Sequence, residues 1–298
     1  MARMNLELSR LLDTQGGVVT SAQALTFLTR RRLEAELKND GLHKIWYGVY
    51  GRGDVDRRLQ LRGLDLVTGT TVAACLGTAA AVHGFDTEQT ADLHVLNPPG
   101  RQLRSGDGLV VHRREGAPLV LIAGRPITTA AWTAVEVARN LSRPRALATL
   151  DAALRTGTCG ADDLRGAAAG QSGRRGIAAL RGLLPLATPQ AESPMESEAR
   201  LVMIDGGLPE PVLQYEVVDV GGRTWRLDFA WREYLVAAEY DGVAWHSGAD
   251  AFFRDRRRYS ALQELGWAIV SIVAEDVRYR PWELVGRVRS QLQRARAA

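Results

Sequence analysis

The sequence predicts an α+β chain of several domains, and three observations carry that prediction. The opening fifty residues read as three short helices followed by an alternating hairpin. The run from Ser193 reads as helix, three strands, helix, strand, helix. Between them lies a stretch of mixed helices and strands, closed by "LPLATPQAESPM", where Pro185, Pro189 and Pro194 mark a linker. The expected domains are residues 1–53, 54–187 and 190–298, and 298 residues suffice for two or three.

In the first segment, "MNLELSRLLDTQGG" places Leu6, Leu8, Leu11 and Leu12 along one side of a helix that stops at Gly-Gly. "VVTSAQALTFL" begins a second helix with Thr20 or Ser21 as N-cap. "TRRRLEAELKNDG" is a third, capped by Thr29 and ended by Asn39-Asp40-Gly41. "LHKIWYGVYGRG" alternates as a hairpin with Gly48 in its turn. That order is a winged helix–turn–helix, which implies DNA binding. Arg30, Arg31 and Arg32 stand where a recognition helix reaches bases and phosphates, and Lys44 and Arg52 flank the wing. A solvated helix face can carry the same arginine run; the segment order turns the reading toward DNA.

In the middle segment, "TVAACLGTAAAVHGF" reads as a helix, "ADLHVLNPP" and "GLVVHRRE" as strands around the turn "GRQLRSGDG", and "RPITTAAWTAVEVARNL" as a helix. Further helices are expected over 143–157 and 160–187. His83, His94 and His112 lack metal spacing and read as structural. The apolar run 66–82 is rich in Ala, Gly and Thr, which suits a buried helix or a strand–helix pair rather than a membrane span.

The third segment opens with a helix capped by Ser193. A hairpin through Gly221-Gly222 and a central strand "YLVAAEYD" come next, then a long helix from "SGADAFF", the strand "WAIVSIVAEDV" and a closing helix. Asp228 ends one hairpin strand and Glu239 the next; antiparallel pairing would bring both to one end of the sheet. Glu239 and Asp241 are two apart and share a face. Carboxylates so crowded repel one another unless a cation joins them. Hard oxygen ligands suit Mg²⁺ or Mn²⁺, which lower the pKa of a bound water and neutralise charge on a phosphodiester transition state. The other reading is structural ion pairing of these acids with Arg226, Arg232 or the arginines of 254–258.

Bulk properties agree with a reduced cytosolic protein on DNA. Cys75 and Cys159 offer neither a zinc spacing nor a disulfide framework, and the N-terminus has no signal-like apolar core. Residues 1–190 hold 24 basic against 17 acidic residues, a charge of +7; residues 191–298 hold 14 against 17, a charge of −3. A basic front half suits a polyanion.

These residues carry two family resemblances. Gly16, Gly17, Val18, Thr20, Gly41, Ile45, Gly48, Val49 and Tyr50 resemble the N-terminal winged helix of AbiEi-type antitoxins, and the middle module resembles the segment next to that winged helix in those antitoxins. Ser193, Pro194, Glu196, Asp228, Phe229, Glu239, Asp241, Gly242, His246, Asp255, Arg256, Arg258, Leu262, Gly266 and Trp267 resemble the very-short-patch-repair-like branch of the PD-(D/E)xK nucleases. The second resemblance implies metal ligation by Asp228, Glu239 and the Tyr240 carbonyl, with Glu196 positioning a metal-bound water. It also implies His246 as acid or base, Arg256 and Arg258 as a phosphate clamp, and Trp245 as a DNA-stacking or simply packed aromatic. Asp241 stands where that superfamily usually has its lysine. The favoured expectation is a Mg²⁺- or Mn²⁺-dependent endonuclease delivered to DNA by the winged helix. The alternative is an antitoxin-like transcriptional repressor of a type IV toxin–antitoxin system, with a degenerate nuclease domain and a nucleotidyltransferase-like toxin as partner. A cytoplasmic, nucleoid-associated location and no membrane contact are expected.

Overall fold

The computed structural model describes residues 5–87, 90–242 and 249–297, with backbone alone over 249–255. It is a mixed α+β chain of two compact units, one of Met1–Val82 and Gln89–Thr129, the other of His83–Glu88 and Ala130–Ala298.

The first unit begins with helix α1 (Leu6–Thr14), whose Asn5 cap accepts from the Glu7 and Leu8 amides. Strand β1 (Val18–Thr20) leads into α2 (Ser21–Phe27), held by a reciprocal capping box between Thr20 and Gln23. Helix α3 (Arg30–Lys38) starts at Thr29, and β2 (His43–Trp46) and β3 (Val49–Gly51) form the expected hairpin. The expected second helix starts later than its apolar run: Val18 and Val19, β-branched and preceded by two left-handed glycines, pair with Gly51 and Tyr50 instead. The sheet order is β1-β3-β2. Leu8, Leu12, Val19, Ala24, Leu33 and Leu42 form the core beneath the three helices.

Helix α4 (Arg57–Thr68), which the sequence pattern did not announce, runs from the Asp56 cap to a left-handed Gly69. Its Leu59, Leu61 and Leu64 join Trp46 and Val49 of the hairpin, and the Trp46 indole donates to the Gln60 carbonyl at 2.9 Å. Helix α5 (Leu76–Val82) is shorter than expected, because Ala74 is extended and bridges Val95 and Ile127. Strands β4 (Leu93–Leu96) and β5 (Leu109–His112) pair in parallel, not as a hairpin. Strands β6 (Leu119–Ile122) and β7 (Arg125–Thr128) form the antiparallel hairpin, so "RPIT" is strand rather than the start of a helix.

The second unit carries α6 (Ala130–Ala138), α7 (Arg143–Arg155), α8 (Ala161–Gly170) and α9 (Ile177–Arg181). The helical stretch expected over 160–187 breaks at Gly176, which has φ 83° and lies so close to the Arg139 carbonyl that a Cβ would meet it at 2.0 Å. Helix α10 (Pro194–Asp205) comes next, with Ser193 as cap. Then come β8 (Val212–Val218), β9 (Thr224–Trp231), β10 (Val236–Tyr240), α11 (Ala249–Glu264), β11 (Ala268–Ile272), the unforeseen α12 (Ala274–Arg278), and α13 (Pro281–Ala297). The sheet order is β11-β10-β9-β8, with β10 and β11 parallel and the other pairs antiparallel. Met203, Leu284 and Val288 of α10 and α13 cover one face with Phe229, Val236 and Ala238. Leu262 and Trp267 cover the other with Leu227, Ala230 and Ala237. Burial on both faces explains why β10 reads as a continuous apolar run.

Candidate functional site

The β9–β10 register pairs Ala238 with Phe229, so one further step sets Glu239 opposite Asp228. The Tyr240 amide donates to Asp228 Oδ2 at 2.9 Å, which fixes that carboxylate against β10. Glu196, in the first turn of α10, approaches from the adjoining helix. Its carboxylate accepts from the Glu192 amide and the Ser193 hydroxyl, both at 2.8 Å, and from Gln214 Nε2 at 2.9 Å. Gln214 holds a left-handed φ of 50° in β8, a strained conformation for a side-chain-bearing residue. Glu198 lies apart, bound to Arg278 at 3.1 and 3.2 Å, so Glu196 is the first-helix acid of the cluster.

Glu196 and Glu239 are buried. Burial pushes the Glu196 and Asp228 carboxyls up, against the hydrogen bonds they accept. It pushes Glu239 to about 7; the Arg258 guanidinium opposes this, and the charges of Asp228 and Asp241 add to it. The Asp228 charge thus adds to the rise of both Glu196 and Glu239. Arg258, on α11, ion-pairs with Glu239 and also donates to the Arg226 carbonyl at 2.7 Å. Arg226 itself pairs with Glu192 at 2.5 Å.

Asp241 sits just beyond β10, exposed, and accepts from the Ser271 hydroxyl at 2.8 Å. The Tyr240 carbonyl accepts from the Gly242 amide at 3.2 Å. Arg256 is exposed on α11. Trp245 and His246 lie outside the described residues, as does the Asp255 side chain.

These contacts bear on whether the cluster suits a divalent cation. Among the described residues no three His, Cys, Asp or Glu side chains are grouped to hold one. The Glu196 carboxylate already accepts three hydrogen bonds from the protein, two at Oε2 and one at Oε1. The cation that meets Glu239 is the Arg258 guanidinium. The arrangement therefore fits charge compensation by arginine better than the hard-oxygen cradle that Mg²⁺ or Mn²⁺ takes.

At the N-terminal helices, Arg30 and Arg31 are exposed at the start of α3, and Lys44 is exposed on β2. Arg32 is turned to Glu36, at 3.1 Å, and Arg52 to Asp13 and to the Ser9 hydroxyl at 3.0 Å. Tyr47, which the sequence reading did not single out, is 92% exposed at the hairpin tip between buried Trp46 and the left-handed Gly48. Its signal was an aromatic in the turn of an otherwise alternating hairpin.

Residues 72–186 match the AbiEi antitoxin C-terminal domain. The chain is 54% identical over 271 residues to the uncharacterized protein MT2308 of Mycobacterium tuberculosis strain CDC 1551 / Oshkosh, covering 91% of this chain and 100% of the relative. The uncharacterized protein Rv2248 of Mycobacterium tuberculosis strain ATCC 25618 / H37Rv matches to the same extent. The chain belongs to their family. In this member of the family the matched AbiEi segment begins ahead of α5 and runs through the helices that precede α10, within the stretch where the sequence resembles AbiEi-type antitoxins. Among the described residues no helix is long and apolar enough to cross a membrane.

Proposed function

We propose that this protein is an antitoxin-like DNA-binding transcriptional repressor of a type IV toxin–antitoxin system, its partner a nucleotidyltransferase-like toxin. The observation that carries the reading is the AbiEi antitoxin match over residues 72–186. Residues 1–53 are read as the winged helix–turn–helix, with Arg30 and Arg31 toward the major groove and Lys44 and Tyr47 on the wing. Residues 54–187 are the AbiEi-like module, and residues 190–298 a degenerate PD-(D/E)xK-like domain used for DNA or partner contact. The Arg258–Glu239 ion pair, the protein donors that occupy Glu196 Oε2, and Asp241 at the usual lysine position support degeneracy. The test is a gel shift on the DNA upstream of the protein's own gene. Binding that depends on Arg30 and Arg31 supports the reading; a chain with no affinity above that for random duplex sinks it.

A second reading, a Mg²⁺- or Mn²⁺-dependent endonuclease, draws support from one further observation. Gln214 Oε1 is buried without a hydrogen-bond partner among the described residues although the same amide bonds Glu196, leaving an acceptor oxygen beside the carboxylates. In this reading Asp228, Glu239 and the Tyr240 carbonyl would hold the metal and His246 would move the proton. Digestion of plasmid and single-stranded DNA with and without Mn²⁺ separates the two.

A further inference from the structure

A cavity of about 670 Å³ opens in the first unit between α4 and the β6–β7 hairpin. That is within the range of small-molecule sites, roughly 300–1,000 Å³. Four arginines line it: Arg57, Arg58 and Arg62 from α4, and Arg125 from β7. Its one acid, Asp65, is held in a two-pronged pair by Arg125, at 3.0 and 2.6 Å, and accepts from the Val72 amide at 2.8 Å. Arg57 bonds the Thr90 carbonyl. Arg58 and Arg62 are exposed, and neither has a carboxylate partner among the described residues. Four arginines against one aspartate leave the lining at +3.

The placement of these charges works against the helix that carries them. Arg58 and Arg62 are four apart, where like charges repel. Arg57 and Arg58 fill a first turn with no acid in it, where the helix dipole disfavours cations. Apart from Thr71 and Thr78 the rest of the wall is apolar: Ile122 faces the cavity, as does Val82, which is 44% exposed. The cavity thus joins a phosphate-seeking side to a side suited to an uncharged ring.

We propose that this cavity binds a free nucleoside phosphate, with Arg58 and Arg62 on the phosphates and the Val82–Ile122 wall against the base. The inference is independent of the DNA-binding reading, because Arg30 and Arg31 lie on a different helix.

The test is calorimetric titration of the full chain with ADP, GDP, their nucleosides and inorganic phosphate. A diphosphate should bind with submillimolar affinity, and its nucleoside and phosphate alone at least about tenfold more weakly. Arg58→Ala/Arg62→Ala should weaken the nucleotide at least about tenfold, while Arg30→Ala/Arg31→Ala leaves it unchanged. Val82→Asp, which sets an acid on the apolar wall, should also abolish binding and guards against a misfolded double variant; its thermal midpoint should match wild type. The proposal is overturned by no heat from either nucleotide at about 5 mM, by equal binding in Arg58→Ala/Arg62→Ala, or by a double variant that loses affinity for duplex DNA alone.

Discussion

Replacing Glu239 by Gln tests the cluster where its electrostatics are most specific. Burial raises the carboxyl from an ordinary 4.5 to about 7, so the folded chain holds a proton there that the unfolded chain releases. A raised carboxyl contributes stability that is complete below pH 4.5 and is lost as pH climbs through 7. Gln keeps the shape of the protonated acid and does not titrate. Integrating the two proton affinities between pH 5 and pH 8 gives wild type a loss of about 2.5 kcal/mol relative to Glu239→Gln. Urea denaturation followed by tryptophan fluorescence at both pH values measures it: the variant should gain on wild type by about 2–3 kcal/mol toward alkaline pH. A difference between the two proteins that stays flat from pH 5 to pH 8 would refute the reasoning, because it would mean that Glu239 titrates as a solvated acid.

Four more outcomes are expected, two at this cluster and two at the N-terminal helices and hairpin. Arg258→Ala strands the buried Glu239 charge and should destabilise the chain by about 1–3 kcal/mol above pH 7, less below it, in the same urea series. If arginine rather than metal compensates the cluster, millimolar Mn²⁺ should leave the wild-type thermal midpoint unmoved, whereas a clear rise would indicate a cation site. Arg30→Ala/Arg31→Ala should lower DNA affinity and flatten its dependence on log salt by about 2, measured by fluorescence anisotropy at several salt concentrations. Tyr47→Ala, at a site 92% exposed, should weaken DNA binding with a change in stability within about 0.5 kcal/mol.

Much of the local structure was legible because the signals are local. Thr20, Thr29 and Ser193 cap the helices they were expected to cap, and the Gly48 hairpin and the strands carrying Asp228 and Glu239 lie where the pattern put them. The middle segment resisted because its elements are fixed by partners distant in sequence. The run through Ala74 looks helical until Val95 and Ile127 pair with it, and β4 and β5 look like a hairpin although they run parallel. That parallel register also stacks His94 on His112, Nδ1 to Nε2 at 2.9 Å, and burial holds His94 below its ordinary pKa. Two histidines eighteen positions apart gave no sign of this. At the candidate site the placing of Glu239 opposite Asp228 was readable, since strand pairing sets it. Their compensation was open between metal and arginine, and the choice of Arg258 depends on how α11 lies over the sheet, which no spacing reveals. The turn of Arg52 toward Asp13 was hidden for the same reason, whereas Arg32 and Glu36, four apart on α3, form a pair that spacing alone could have shown.

The central claim is that this chain binds DNA as a regulator and does not cut it. Incubating wild type, Arg30→Ala/Arg31→Ala and Asp228→Asn/Glu239→Gln with the upstream duplex and Mn²⁺, then measuring bound fraction and strand integrity together, tests it most directly. The account predicts intact DNA in every lane, equal binding by wild type and the carboxylate variant, and at least about tenfold weaker binding by the arginine variant. Mn²⁺-dependent strand breaks made by wild type and absent with Asp228→Asn/Glu239→Gln would contradict it.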